Sequence, residues 1–221
     1  MRTAIALAAA VVSLTCTLSE ARAEGKQTGL ELAARTGLLL PMGAATNGAN
    51  DRLGNTFAAQ LPIAFDAGWR ATPSLFVGGY FGAAVGGPGG SSNDECEESG
   101  ADCIGRSTRL GVQAQWHFSP REPTHAWVGY GFGYEWASLQ MYADKGTKSV
   151  AFRGPEYGHV MIGADFDSNE SLHLGVFADV SFGQYSRMEW RSWSSPTKSM
   201  DIEERAGHQW VMIGVRATLM P

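Results

Sequence analysis

Cysteine is scarce in this chain, with three residues in 221. Cys16 falls in the N-terminal segment, which leaves Cys96 and Cys103. Their spacing is not C-x-x-C and no thioredoxin-like pattern surrounds them, so a redox-active pair is not indicated. No stretch of 18 apolar residues exists, which excludes a membrane-spanning helix, and no helix-period run of useful length follows the N-terminal segment. Positive charge is in deficit, with 17 Lys and Arg against 22 Asp and Glu and a formal net charge of −5. Such a chain offers no broad basic footprint for nucleic acid. Serines and His117, His159, His173 and His208 are available, but no G-x-S-x-G or other nucleophile context frames them. The glycine runs Gly78-Gly79 and Gly129 to Gly133 fall inside strand patterns and do not open a helix, so they cradle no phosphate. No catalytic residue, metal ligand or cofactor is assigned.

The first 23 residues have the form of a secretory signal. Arg2 is a minimal n-region, Ala4 to Leu14 an apolar h-region, and Ala21-Arg22-Ala23 an A-x-A cleavage site. Cys16 follows Ser13-Leu14-Thr15, a poor match to a lipoprotein site, and is expected to leave with the peptide. Cleavage removes Arg2, Arg22 and Glu20 and makes the remaining chain, 24–221, slightly more acidic.

What is abundant is glycine, 28 residues, together with 23 aromatics placed with a period of two. The clearest stretch runs from Thr108 to Leu139. Leu110, Val112, Ala114, Trp116 and Phe118 alternate with Arg109, Gly111, Gln113, Gln115 and His117. After Ser119 to Thr124 the alternation resumes as Val128, Tyr130, Phe132, Tyr134 and Trp136, against Gly129, Gly131, Gly133 and Glu135. Side chains alternate across a strand, so these are strands with one apolar and one polar face. Here the apolar face carries the aromatics and the other carries glycines, amides and charges. This is the pattern of a barrel apolar to lipid and polar to its lumen.

The same alternation predicts eight strands: 29–42, 57–70, 74–85, 108–118, 128–139, 158–167, 172–182 and 209–219. Pro62 removes a ladder donor from the second and predicts a bulge or the strand's outer end there. Connections after strands one, three, five and seven are long, and those after two, four and six are short. An antiparallel up-and-down transmembrane barrel with both ends on the periplasmic side has this rhythm. No linker or composition shift marks a second domain.

The parity sends Glu31, Asp66, Glu135, Asp165 and Asp179 inward as acids and Arg35, Arg70, Arg109 and Arg216 inward as cations, with His117 and His173 nearby. An eight-stranded barrel is just wide enough for side chains to fill, and buried charges must pair. A lumen closed by ion pairs is expected, with a narrow ion path as the alternative. Cys96 and Cys103 share one acid-rich loop, 86–107, where a local disulfide is expected in an oxidising compartment. Trp69, Trp116, Tyr134 and Trp136 suit interfacial girdles. In the last external loop Arg187, Trp190, Arg191 and Trp193 are a candidate contact site, for which lipopolysaccharide phosphate is a fitting partner.

Phe65-Asp66-Ala67-Gly68-Trp69-Arg70, the 110–116 run and Gly129-Tyr130-Gly131-Phe132-Gly133-Tyr134-Glu135-Trp136 resemble the small outer-membrane β-barrel proteins of Gram-negative bacteria, of the OmpA-transmembrane-domain or OmpX type. More closely, the chain resembles the eight-stranded barrels common in myxobacteria-like genomes. The resemblance implies an outer-membrane protein with no catalytic residues to carry over; the chain itself is expected to be a monomer in contact with outer-membrane lipid. Such barrels usually end in an aromatic residue read by the barrel-assembly machinery, whereas this chain ends Leu219-Met220-Pro221. The function expected is structural or one of surface interaction through the external loops. The rivals are a narrow channel or small-ligand carrier, a soluble lipocalin-like barrel, and a lipid-modifying barrel enzyme.

Overall fold

Residues 28–48, 52–144, 146–169, 171–193 and 195–221 are described by the computed structural model. The expected signal segment 1–23 lies outside them. Period-two alternation becomes ten strands: β1 (Gly29–Gly43), β2 (Phe57–Thr72), β3 (Leu75–Pro88), β4 (Asp102–His117), β5 (Thr124–Ala143), β6 (Gly146–Asp167), β7 (Leu172–Gly183), β8 (Arg187–Arg191), β9 (Lys198–Asp201) and β10 (His208–Leu219). Two short helices, α1 (Leu53–Thr56) and α2 (Gly90–Ser99), lie in the first two long connections. Eight strands close a ring in the order β1 to β7 and then β10, which pairs back onto β1. Every pairing is antiparallel. The fold is an eight-stranded up-and-down transmembrane barrel.

The facing follows the sequence parity. Leu61, Phe65, Trp69, Leu110, Phe132, Ile162, Val176 and Val215 are exposed, while Glu31, Arg35, Asp66, Arg70, Glu135, Asp165, Asp179 and Arg216 are buried. A soluble barrel of the lipocalin kind needs the reverse, an apolar interior under a polar exterior. An apolar belt around a charged interior is stable only against lipid.

The rim is more ordered than the sequence pattern suggests. Of the four expected external loops, two are largely strand or helix and the last is partly strand. The end of β3, α2 and the start of β4 together take up most of 86–107, with α2 at the tip. Gly100 caps α2 in the left-handed region at φ 61, where glycine carries no Cβ penalty. The two cysteines therefore do not share a loop. Cys96 sits buried on α2 and Cys103 at the start of β4, and their sulfurs lie at bonding distance. β5 and β6 run to 20 and 22 residues, against 12 in β7 and in β10. A membrane strand needs about 9–11 residues, so roughly ten residues of each long strand stand clear of the bilayer, a rise on the order of 30 Å. The expected loop 187–206 folds β8 against β6 and β9 against β8, which widens this wall.

Pro62 makes no bulge. β2 keeps one register with β1 on both sides of it, but the ladder between them is interrupted from Gln60 to Ile63. The missing N–H costs pairing on one side only. On the other, Pro62 stays paired with Ala84, and its carbonyl accepts a 2.8 Å hydrogen bond from Thr36 Oγ1.

Candidate functional site

Inside the ring, side chains from all eight barrel strands meet. At the end of the barrel that carries the short turns, Arg216 lies 3.3 Å from Asp165 and 3.6 Å from Glu31, donates to Gln115 at 2.9 Å, and stacks 4.2 Å over the Trp127 ring. Arg70 holds Glu31 at 2.6 Å and reaches the Pro73 carbonyl at 3.2 Å. Further in, Arg35 bridges Asp66 at 2.8 Å and Asp179 at 3.3 Å. Arg35 and Arg216 face each other in the β1–β10 register. Their guanidinium groups bind different acids, so the like charges are each matched locally.

Towards the outside, Glu156 accepts from Tyr80 at 2.5 Å, contacts His159 at 3.1 Å, and lies 3.9 Å from Arg109. Arg109 sits opposite Glu135 in the register but turns to Glu156 and to Ser181, at 3.0 Å. Glu135 is bound by His208, on which Tyr185 stacks at 4.0 Å. Above them an apolar cluster including Leu39, Leu53, Phe57, Leu139, Met141, Phe152 and Trp210 fills the mouth on the side of the long connections. A cavity of about 40 Å³ remains at mid-height, lined by Arg35, Tyr80, Arg109, His159 and Asp179 among others. That is room for a few waters at most.

All nine charged residues expected inside are inside. Glu156, His125, His159, His208, Tyr80 and Trp127 join them, although the sequence parity assigns them no role there. His125, His159 and His208 share parity with Trp127, Met161 and Trp210: His159 lies within the predicted strand 158–167, and extending the fifth strand by three residues and the eighth by one finds the other two. Glu156 is hidden by a register shift between Glu156 and Gly158, which reverses the parity of β6. Asp167, which shares the parity of Asp165, is at the rim, 2.6 Å from His173.

The four candidate contact residues of the last connection do not form one site. Arg187, Trp190 and Arg191 belong to β8 and alternate across it. Arg187 pairs with Asp201 at 3.0 Å and Arg191 donates to Thr197 at 2.9 Å. Trp190, on the opposite face, has Lys198 over its ring at 5.2 Å. Trp193 packs against the apolar cluster of the mouth. Arg187 instead joins Arg153 and Arg205 on the outside of the wall. There they line a groove with Tyr134 and Trp136, whose rings are 4.8 Å apart.

No protein-family profile matches the chain, and no curated protein matches it in sequence. Solved structures do share its fold. A major outer membrane protein from Thermus thermophilus is 11% identical over 87% of this chain and 98% of its own, with a TM-score of 0.57. The outer membrane protein AlkL, solved in DMPC lipid bilayers, is 14% identical over 93% and 97%, with a TM-score of 0.50. At such identities the likeness is one of fold, that of small outer-membrane barrels.

Proposed function

We propose that this chain is an outer-membrane protein whose lumen is closed to solutes and which acts at the cell surface through the wall built by β5, β6, β8 and β9. The observation that carries the first half is the interior itself. Four arginines are matched by buried carboxylates from several strands, and the external mouth is filled by apolar side chains. Opening a path would break pairs whose separation inside a low-dielectric barrel costs several kcal/mol each. The reading includes no catalytic step. Purified protein in planar bilayers is expected to be electrically silent; steady single-channel currents would favour the narrow-channel reading instead.

The second half rests on the wall's outer groove. Tyr134 and Trp136 mark the upper aromatic girdle, and Arg153, Arg187 and Arg205 stand beside them, level with lipid head groups. Arg153 pairs with Glu189 at 2.9 Å and Arg187 with Asp201 at 3.0 Å, both partly solvated. Exposed pairs of this kind contribute about 1 kcal/mol or less, so a phosphate can replace the carboxylates. The phosphorylated sugar of lipopolysaccharide is the partner this favours. In the triple Arg153→Ala, Arg187→Ala, Arg205→Ala variant, lipopolysaccharide binding is expected to weaken by about tenfold or more, since a charge-assisted hydrogen bond contributes roughly 1.5–3 kcal/mol. Unchanged binding by the folded variant would remove the groove from the account.

A further inference from the structure

We propose that His117, His125 and Asp165 form a binding site for a divalent transition-metal ion at the periplasmic mouth of the barrel. His117 ends β4 and His125 lies at the start of β5, so the short turn between them returns the chain with both rings inside, 5.5 Å apart. The β5–β6 register then sets Asp165 directly across from His125. One donor atom from each residue lies within 4.8 Å of those of the other two, and all three residues are buried.

The second observation is that each of the three residues has a buried polar side-chain atom without a hydrogen-bond partner. Nδ1 of His117, Nδ1 of His125 and Oδ2 of Asp165 are buried without a hydrogen-bond partner. A buried polar atom left unsatisfied costs about 1–3 kcal/mol, and one ion held among the three side chains offers them a common partner. That partner is a cation. Asp165 Oδ2 keeps its ion pair with Arg216 at 3.3 Å and has His125 Nε2 at 3.9 Å, but accepts a hydrogen bond from neither. Around the cluster, Arg70 and Arg216 stand against Glu31, Asp165 and the rim residue Asp167. With neutral imidazoles the surroundings are net negative.

Two imidazoles and one carboxylate are the donor set of Zn²⁺, Ni²⁺, Cu²⁺ or Fe²⁺, not of Ca²⁺ or Mg²⁺. Metal–donor bonds of about 2.0–2.2 Å require the three groups to draw together by on the order of 1 Å. Coordination through His117 Nδ1 moves its proton to Nε2, which gives up the 3.2 Å contact with Arg70 Nη2. Arg70 keeps Glu31 and the Pro73 carbonyl. A water, or His173, whose ring lies 5.9 Å from that of His125, completes the shell.

The test is a titration of the full-length barrel, folded in detergent, made without a histidine tag and stripped with chelator. Co²⁺ absorption is followed first, then its displacement by Zn²⁺. The expected result is one ion per barrel, a d–d spectrum abolished by one equivalent of Zn²⁺, and affinity at least about tenfold weaker in His117→Gln and His125→Gln. No saturable binding, or binding equally strong in both folded variants, overturns the proposal. If either variant fails to fold, zinc K-edge absorption of the wild-type complex decides. Imidazole scattering supports the site, and an all-oxygen water shell refutes it.

Discussion

Replacing Arg216 by alanine is expected to destabilise the barrel by about 3–5 kcal/mol, the cost of leaving buried charge without its partner. Arg216 is fully enclosed and serves two acids at once. Without it, Glu31 retains Arg70, but Asp165 is left with the indole N–H of Trp127 at 3.2 Å and a distant His125. The stacking on Trp127 is lost as well. Arg35→Ala is expected to match this loss, since Asp66 and Asp179 both depend on it. Arg109→Ala is the informative contrast. Its acid, Glu156, is 3.9 Å away and already bound by Tyr80 and His159, so about 1–2 kcal/mol is expected. Denaturant unfolding in detergent micelles, followed by tryptophan fluorescence, measures all three. Equal effects at Arg216 and Arg109 would mean that the pairing is not as described.

A second large effect is expected at the seam where the chain's first and last barrel strands meet. Gly37 and Gly214 face each other across β1 and β10. A Cβ on Gly214 would overlap the Thr36 carbonyl oxygen and come within 2.8 Å of the Gly37 Cα. These are backbone atoms of the closing strand pair, so no side-chain rotation relieves the overlap. Gly214→Val is expected to cost about 3 kcal/mol or more and to leave much of the protein unable to close. Gly87→Ala, where an added Cβ meets nothing within 4 Å, is the neutral control. The heat-shifted band on a gel reports both. A normally folded Gly214→Val would show that β1 and β10 do not meet in this register.

Much of this barrel is legible in its sequence because side-chain facing is a local property. Whether Arg35 or Leu38 points inward depends on parity along β1 alone. Hence the charged residues expected in the lumen are all in it, and the belt residues are all outside. Parity fails where the backbone does something non-local. The register shift at Glu156 to Gly158 reverses the facing of upper β6 and hides the acid that Tyr80, Arg109 and His159 share. The rim misleads for a different reason. Glycine, serine and acids across 86–107 have the composition of a loop, yet the hairpin continues because neighbouring strands supply its hydrogen bonds. In the same way, β8 alternates Arg187 and Trp190 to opposite faces, which divides a cluster that looked continuous along the chain. Which charges meet is set by register and tilt across the ring, and neither is written in any one strand. The gathering of His117, His125 and Asp165 is of that kind.

The measurement that bears most directly on the central claim, an apolar face to lipid and a charged face inward, is extraction of the expressed protein from membranes together with its gel mobility before and after boiling. The protein is expected to resist carbonate and high salt, and the unboiled species to migrate apart from the boiled one. A protein released by salt and running as one band would contradict it, turning Leu174, Val176 and Ile213 into a soluble core.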